Sequence, residues 1–430
     1  MACIICFLSD EFQDQLRTTA RSTTDRFEQA LEQYENSFIE EFRDLSDAPS
    51  CDKHRHVAPE TLEWCKALHR CVATIADVPQ WFESIRAAYI AWVSGKFGQA
   101  LAGLESSIKQ RGLFGNESNG ANHIFCIRGR VSKDPLKKED LYHIPFNKRF
   151  LIRNQRFSIT GLPLLYLGLS TPDIACELRC RDRDPNEVYF SSFVLRNPST
   201  LTIADLTNQF PHQYSSFKAI HDAGSAITFD NPIVGDLPAE CVMEYYKYIL
   251  ASCCSFRILK AVEGKAFQEE YVLPQMLSER AAHLGFDGIA YTSTQVTEDY
   301  CGSRESFFTN RYRENLALFT SYSKTADHDK YMLDKFDISS PIRISDITPV
   351  SYTKFDDLKR EILALSHTKP FRSAEALAEA AGITFDTHFA KVVIHTPKSG
   401  TVQYVDHPLG KIHLFLLYQH MLKTRDALQA

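Results

Sequence analysis

The sequence predicts an α+β protein in which helices and strands are largely segregated along the chain. In the first part, apolar residues recur every three or four positions, which is typical of amphipathic helices; the stripes cover residues 27–42, 62–75 and 82–93. Past residue 123 the pattern changes to short apolar runs bounded by polar or turn residues, as in β-strands. Because few of these strands are separated by helical patterns, an α+β domain is favoured over a regularly alternating parallel sheet.

Length and composition exclude several classes of protein. The chain has 430 residues, which is too long for one ordinary core, and its net charge of −6 argues against broad neutralisation of nucleic-acid phosphates. No apolar run approaches the roughly 20 residues that span a bilayer, and the start MACIICFLSDEF lacks the basic region of a signal peptide. The 12 cysteines, several of them in apolar segments, fit reduced thiols. We therefore expect a cytoplasmic protein with no membrane partner and no general nucleic-acid binding.

Three regions are expected along the chain. Residues 1–115 read as a small helical domain, residues 123–322 as the α+β domain, and residues 325–430 as a tail of mixed α/β character. The segment GLFGNESNGANH, which ends at residue 123, is rich in Gly, Asn and Ser and is the predicted linker. The predicted strands of the α+β domain lie at 124–131, 164–169, 188–195, 201–206, 288–292 and 315–322, with helical patterns at 171–180, 240–254 and 272–284.

The first predicted strand of the α+β domain carries two arginines. In IFCIRGRV, the alternation of a strand puts Arg128 and Arg130 on one face. Two guanidinium groups on one face of an apolar strand need an anion or a carboxylate. Salt bridges at the rim would satisfy this need, and so would a guanidinium fork on a pyrophosphate, for which Arg is well suited.

A glutamate lies in the helix predicted after the second strand. Ser170 or Thr171 can cap this helix, with Pro172 suited to its first position, and Glu177 follows between one and two turns later. A carboxylate among small apolar neighbours is either a surface residue at a helix edge or a buried acid with a functional role. Both interpretations stay open at this point.

Several short segments, taken in order, resemble a RES domain, a family named for its Arg, Glu and Ser. The resemblance covers residues 123 to about 322, and each of its motifs is weak alone. Arg130 is a second candidate for the first arginine. The matching residues are Arg128, Arg156, Phe157, Gly161, Pro163, Tyr166, Leu167, Glu177, Gly285, Phe286, Asp287, Gly288, Ile289, Tyr291, Ser293, Asn315 and Leu316.

The resemblance implies an ADP-ribosyltransferase-like fold that binds NAD+ as a substrate in a cleft of the sheet. It implies an NAD+ glycohydrolase or phosphorylase that cleaves the nicotinamide–ribose bond, with water or inorganic phosphate as acceptor. Glu177 would stabilise the positive charge that develops on the sugar, or hold the ribose hydroxyls. By resemblance, the catalytic candidates are Arg128, Glu177 and Ser293, and the candidates for contact with NAD+ are Arg130, Arg156, Tyr166, Tyr291 and Asn315.

The same resemblance implies toxin or defence character and an antitoxin or defence partner that restrains the activity. Self-inhibition by the flanking regions would be another means of restraint, and the oligomeric state stays open.

Two other functions are weighed against NAD+ cleavage. One is an ADP-ribosyltransferase that modifies a protein, and the other is a catalytically silent module that senses NAD+.

The N-terminal region adds two expectations. Cys3 and Cys6, together with Cys51 and His54, have the paired spacing of a structural zinc site, although unconnected residues would give the same pattern. The region also weakly resembles the HEPN-like helical domains that precede some RES domains. No arginine there is followed by a histidine at the spacing of HEPN nucleases, so a scaffold or regulator is expected rather than a ribonuclease.

Overall fold

Helices and a largely antiparallel sheet confirm the predicted α+β class. The first and third apolar stripes coincide with helices, whereas residues 62–68 of the second stripe lie outside the described residues. All six strands predicted in the α+β domain are present, and so are its three helical patterns. The computed structural model describes residues 4–45, 69, 72–73, 75–114, 125–180, 187–197, 200–207, 239–259, 266–295, 313–347, 360, 393–396, 400–403 and 406–429.

The elements are numbered here in chain order. The helices are α1 (Ile4–Phe7), α2 (Asp10–Ser22), α3 (Phe27–Arg43), α4 (Val78–Val93), α5 (Phe97–Gln110), α6 (Thr171–Glu177), α7 (Ala239–Cys253), α8 (Val272–His283), α9 (Lys330–Asp334), α10 (Ile344–Ile347) and α11 (Pro408–Gln429). The strands are β1 (Phe125–Val131), β2 (Leu164–Gly168), β3 (Val188–Leu195), β4 (Ile203–Leu206), β5 (Gly288–Thr292), β6 (Glu314–Phe319), β7 (Phe336–Ile338), β8 (Ile342–Arg343), β9 (Val393–Thr396) and β10 (Gly400–Gln403). In the part of the chain that the structure describes, no helix has both the length and the apolar character needed to cross a membrane.

The first of two structural units is helical. It consists of Met1–Asn116, Asn154–Ile159 and Leu206–His283, so α7 and α8 belong with α1 to α5. Its core is aromatic: the Trp81 indole donates to the Tyr246 carbonyl at 3.0 Å, and the Tyr248 hydroxyl donates to the Leu8 carbonyl at 2.9 Å. These bonds satisfy polar groups of large buried side chains and tie α7 to the N-terminal helices.

The second unit contains the sheet. It consists of Glu117–Arg153, Thr160–Asp205 and Leu284–Ala430, and the strands lie in the order β4-β5-β6-β2-β1-β3-β7, with β8 also paired to β3. One face of the sheet packs on α6 and α11 through a cluster that includes Ile127, Ile174 and Ile412. The opposite face buries Leu165 and Leu316 together with Met332 and Leu333 of α9.

This division differs from the three regions expected from the sequence, 1–115, 123–322 and 325–430. Residues 206–283 join the helical unit, while β7, β8 and α11 of the tail complete the sheet unit. The physical reason is that periodicity predicts which face of a helix is apolar, but not which partner covers that face. The apolar face of α11, with Ile412 and Leu416, covers the sheet surface around Ile127 and Phe190.

Histidines in buried or half-buried positions predict that the sheet unit loses stability in mild acid. Burial lowers the pKa of His413 to about 3, and those of His143, His407 and His420 to about 4. The unfolded chain, with histidine pKa values of about 6.5, then binds more protons than the folded one as the pH falls. We therefore expect the urea midpoint to fall between about pH 7 and pH 5.

A His413→Phe variant provides the check. Its ring keeps the stacking on Phe125, whose centroid lies 5.5 Å from that of His413, and removes one titrating group. We expect the variant to lose less stability than the wild type over the same interval. An equal loss in both proteins would show that His413 does not contribute to the acid sensitivity.

Candidate functional site

Helix α6 carries the candidate acid, and its start is set by the residues just before it. Ser170 Oγ accepts a hydrogen bond from the Asp173 N–H at 3.2 Å, so Ser170 is the N-cap residue and Pro172 stands in the first turn. The Thr171 hydroxyl donates instead to the Leu409 carbonyl at 2.6 Å, at the start of α11. Of the two capping residues considered from the sequence, the structure therefore selects Ser170.

Two glycines let α6 lie close to the sheet. A Cβ on Gly168 of β2 would stand 2.7 Å from Ile174 Cδ1, and a Cβ on Gly129 of β1 would stand 2.7 Å from Leu178 Cδ1. Neither distance leaves room for a carbon atom, so a side chain at either position would force Ile174 or Leu178 to shift. The two glycines therefore allow Glu177, the last residue of α6, to reach the groups at the sheet surface.

We expect a Gly168→Ala variant to be less stable by about 1–3 kcal/mol, as for other overpacked cores. The new methyl group would meet Ile174 and, also at 2.7 Å, Asn315 Oδ1. The free energy of unfolding in urea gives the measure. Gly103→Ala is the control, because a Cβ there meets nothing within 4 Å, and it should be neutral or stabilising. Unchanged stability in Gly168→Ala would contradict the close packing of α6.

Glu177 is held by two donors on one of its oxygens. The Ser293 hydroxyl donates to Glu177 Oε1 at 2.7 Å, and Asn315 Nδ2 donates to the same oxygen at 3.2 Å. Ser293 and Asn315 are buried, whereas Glu177 itself is exposed. Donors of this kind stabilise a carboxylate in its ionised form. The carboxylate of Glu177 is therefore accessible to solvent, and its position is fixed by the buried side chains of Ser293 and Asn315.

The environment of Ser293 sets the direction in which its hydroxyl donates. Ser293 follows β5 directly, and its N–H donates to the Arg313 carbonyl at 2.7 Å, while Arg313 Nη2 donates to the Ser293 carbonyl at 3.2 Å. The Gln295 N–H donates to Ser293 Oγ at 3.2 Å. Because the hydroxyl oxygen accepts from Gln295, its single proton is available for Glu177.

Tyr166 and Tyr291 lie on the same sheet face as Asn315. Tyr291 stands opposite Asn315, which stands opposite Gly168, and residues directly opposite in antiparallel strands share a face. Tyr166 is two residues before Gly168 and therefore has the same orientation. Helix α6 covers this face, since Ile174 is the residue that a Gly168 side chain would strike. The structure thus brings Glu177, Ser293 and Asn315 together and places both tyrosines on their side of the sheet.

Arg128 and Arg130 lie on the opposite face. They flank Gly129, whose missing side chain would point at α6, so their own side chains leave β1 on the other side. Arg128 Nη1 donates to the Tyr166 carbonyl at 3.3 Å, and Arg130 Nη1 donates to the Asp140 carbonyl. Burial, aided by the charge of Arg130, lowers the pKa of Arg128 to about 10. The expected contact of either arginine with a pyrophosphate stays a prediction.

Arg156 belongs to the first unit, whereas Glu177 belongs to the second. Arg156 Nη1 donates to the carbonyls of Cys254 and Phe256, at 2.6 and 3.2 Å. The guanidinium carbon of Arg156 lies 5.1 Å from the centre of the Tyr271 ring. These contacts hold the segment 154–159 within the helical unit. A role of Arg156 towards NAD+ stays a prediction, and the structure gives this side chain a structural one.

Asp173 and Arg313, which the sequence analysis did not single out, lie next to Ser293, one of the residues that hold Glu177. Asp173 lies one turn before Glu177 on α6 and is 1% exposed. Burial, and then the charge of Glu177, raises the pKa of Asp173 well above its usual range, while the positive charge of Arg313 acts in the other direction. The four-residue spacing of the two acids was the available signal, since it places both on one face of a helix.

The predicted zinc ligands lie almost entirely outside the described residues. Cys3, Cys51 and His54 are not described, and Cys6 is a half-buried residue of α1. Among the residues that the structure does describe, no group of three or more His, Cys, Asp or Glu side chains is suited to hold a metal ion. The zinc site stays a prediction from the sequence.

Comparison with known proteins gives one informative similarity. The chain is 25% identical over 342 residues to the protein named "Putative toxin YopC" of Bacillus subtilis (strain 168). The match covers 79% of this chain and 70% of that protein. No family model matches the chain, and no solved structure matches it. The chain is thus similar to a protein described as a toxin, while its resemblance to RES domains stays a prediction.

Proposed function

We propose that this chain is a toxin-type enzyme that cleaves the bond between nicotinamide and ribose in NAD+. The observation that carries the proposal is the exposed Glu177 carboxylate, held on Oε1 by the buried Ser293 and Asn315. Similarity to a protein named as a toxin supports the toxin-type character. The order of motifs that resembles RES domains supports the choice of NAD+.

The chemistry matches the residue types. When the glycosidic C–N bond breaks, its electron pair leaves with neutral nicotinamide, and the ribose carbon becomes positively charged. A carboxylate that is already fixed in place stabilises this charge without reorganising during the reaction. An oxygen of water or inorganic phosphate then bonds to the ribose carbon, and the proton of the acceptor passes to solvent. The products are nicotinamide and ADP-ribose, or nicotinamide and ADP-ribose 1″-phosphate.

The neighbouring aromatic residues suit the leaving group. Tyr166 and Tyr291 share the sheet face with Asn315, and an aromatic ring can stack on the planar nicotinamide. Arg313, whose Nη2 donates to the Ser293 carbonyl, lies beside the proposed site and would favour an anionic dinucleotide. An antitoxin that covers Glu177 would be the partner of such an enzyme.

The test is incubation of the purified full chain with NAD+, with and without inorganic phosphate, followed by chromatography of the products. Release of nicotinamide that requires Glu177 supports the proposal. Transfer of ADP-ribose to protein, without free ADP-ribose, would identify the alternative transferase. Binding of NAD+ without any release by the wild type would identify the silent sensing module and overturn the proposal.

A further inference from the structure

Asp173 is a buried acid in the first turn of α6. It is 1% exposed, and neither carboxylate oxygen accepts a hydrogen bond from any residue that the structure describes. Its polar neighbours are Ser293 and Asn315, the same two residues that hold Glu177. An ionised carboxylate in such a place would carry the full cost of desolvation. This arrangement therefore calls for an explanation.

The side-chain oxygen of Asn315 also lacks a hydrogen-bond donor among the described residues. Asn315 Nδ2 donates to Glu177, whereas Oδ1 is buried. On β6, Asn315 is paired with Gly168 of β2 and with Tyr291 of β5, which places its side chain on the sheet face that α6 covers. The carboxylate of Asp173 and Oδ1 of Asn315 are thus two buried acceptor groups without a donor among the described residues. A single proton between them would satisfy both.

The charges around Asp173 favour that proton. Burial is the largest influence and opposes the ionised form, and the negative charge of Glu177, four residues later on the same helix, adds to it. The side chains of Ser293, Arg313 and Asn315 favour the ionised form, and so does the start of α6, where Asp173 stands in the first turn. The net result is a pKa of Asp173 well above its usual value.

We propose that Asp173 is protonated at neutral pH and donates its proton in a hydrogen bond to Asn315 Oδ1, which makes it a positioning residue for Glu177. The bond fixes the orientation of the Asn315 amide, because only one of its two ends can then face Glu177. That end is Nδ2, the donor observed at 3.2 Å from Glu177 Oε1. The pair of acids carries one negative charge instead of two, and this charge resides on Glu177.

The catalytic consequence rests on the proposed function. Asp173→Asn keeps the shape and neutrality of the protonated acid, and its amide can donate to Asn315 Oδ1. We expect its kcat for NAD+ cleavage to stay within about threefold of the wild type, whereas Asp173→Ala lowers kcat by about tenfold or more with little change in KM, the size of effect expected when a buried polar partner is lost. If Asp173 were ionised and had only a structural role, Asp173→Asn would not be expected to retain the kcat that Asp173→Ala loses.

A second test needs no activity. Because the folded pKa of Asp173 is raised, this group binds more protons in the folded state than in the unfolded state above about pH 4, so its own contribution to stability decreases as the pH rises, opposite in sign to that of the buried histidines. Asp173→Asn has no such loss, and its melting temperature minus that of the wild type should increase from about pH 4 to pH 8.

Infrared difference spectra of the two proteins at pH 7 should show the carbonyl band of a protonated carboxylic acid in the wild type alone.

The outcomes separate this inference from the proposed function. If the wild type shows the protonated acid but releases no nicotinamide, the protonation stands and the proposed reaction fails. If the band is absent, or if Asp173→Asn becomes less stable relative to the wild type as the pH rises, Asp173 is ionised and the inference is overturned. Should Asp173→Ala fail to fold, Asp173→Asn and the infrared measurement still decide the matter.

Discussion

Replacing Glu177 with Gln should reduce the release of nicotinamide from NAD+ by on the order of 100-fold or more, the scale on which electrostatic groups act in transition states. Glutamine keeps the shape of the side chain, and its Oε1 can still accept from Ser293 and Asn315, which donate to the carboxylate at 2.7 and 3.2 Å. What the variant lacks is the negative charge beside the ribose carbon. The expected change is therefore in kcat, while the stability of the fold and the binding of NAD+ are retained.

The matched control is Glu139→Gln. Glu139 is also an exposed glutamate of the sheet unit, and it lies between β1 and β2, outside the group around Glu177. The same substitution there should leave nicotinamide release unchanged. Release by Glu177→Gln at half the wild-type rate or more would rule out Glu177 as the group that stabilises the reacting sugar. Calorimetric titration with NAD+ shows whether binding survives in each variant.

The products of the wild-type reaction distinguish the acceptors. ADP-ribose alone indicates water, and a second product that appears only with phosphate indicates phosphorolysis. An acceptor needs access to the ribose carbon, and the exposure of Glu177 is compatible with entry from solvent. If label from NAD+ remains on protein, the transferase alternative is supported. The three outcomes use the same assay and need no knowledge of a natural partner.

The local structure of the site was largely predictable from the sequence. Apolar runs bounded by turn residues gave the strands that carry Tyr166, Tyr291 and Asn315, and the sequence Ser-Thr-Pro gave the start of the helix that carries Glu177. These features depend on residues within a few positions of each other. That is why pattern and propensity suffice to find them.

The relation between distant residues could not be predicted in the same way. Alternation predicts that Arg128 and Arg130 share a face, but only the pairing of Ile127 with Gly168, and of Gly168 with Asn315, shows that this face is opposite to Glu177. Such register is set by long-range packing, for which no local pattern exists. The position of Arg156 in the helical unit has the same origin.

A buried ion pair also links distant residues of the helical unit, and breaking it should destabilise the protein by about 3–5 kcal/mol. Arg21 Nε donates to Glu270 Oε1 at 2.8 Å, and Arg21 Nη2 donates to Glu269 Oε2 at 3.0 Å. The side chain of Glu270 is 0% exposed and that of Arg21 is 5% exposed. In Glu270→Ala, Arg21 remains buried and keeps the half-buried Glu269 as the carboxylate that it contacts.

The expected free-energy loss comes from the charge that is left behind, and a double variant can show this. Arg21→Met combined with Glu270→Leu removes both charges and fills the space with apolar atoms, so it should be much closer to the wild type than Glu270→Ala. Urea unfolding of the three proteins gives the comparison. A loss below about 1 kcal/mol in Glu270→Ala would indicate that Glu269 alone compensates Arg21. A double variant as unstable as Glu270→Ala would instead show that the pair itself, through its geometry, holds residues 269–271 to α2.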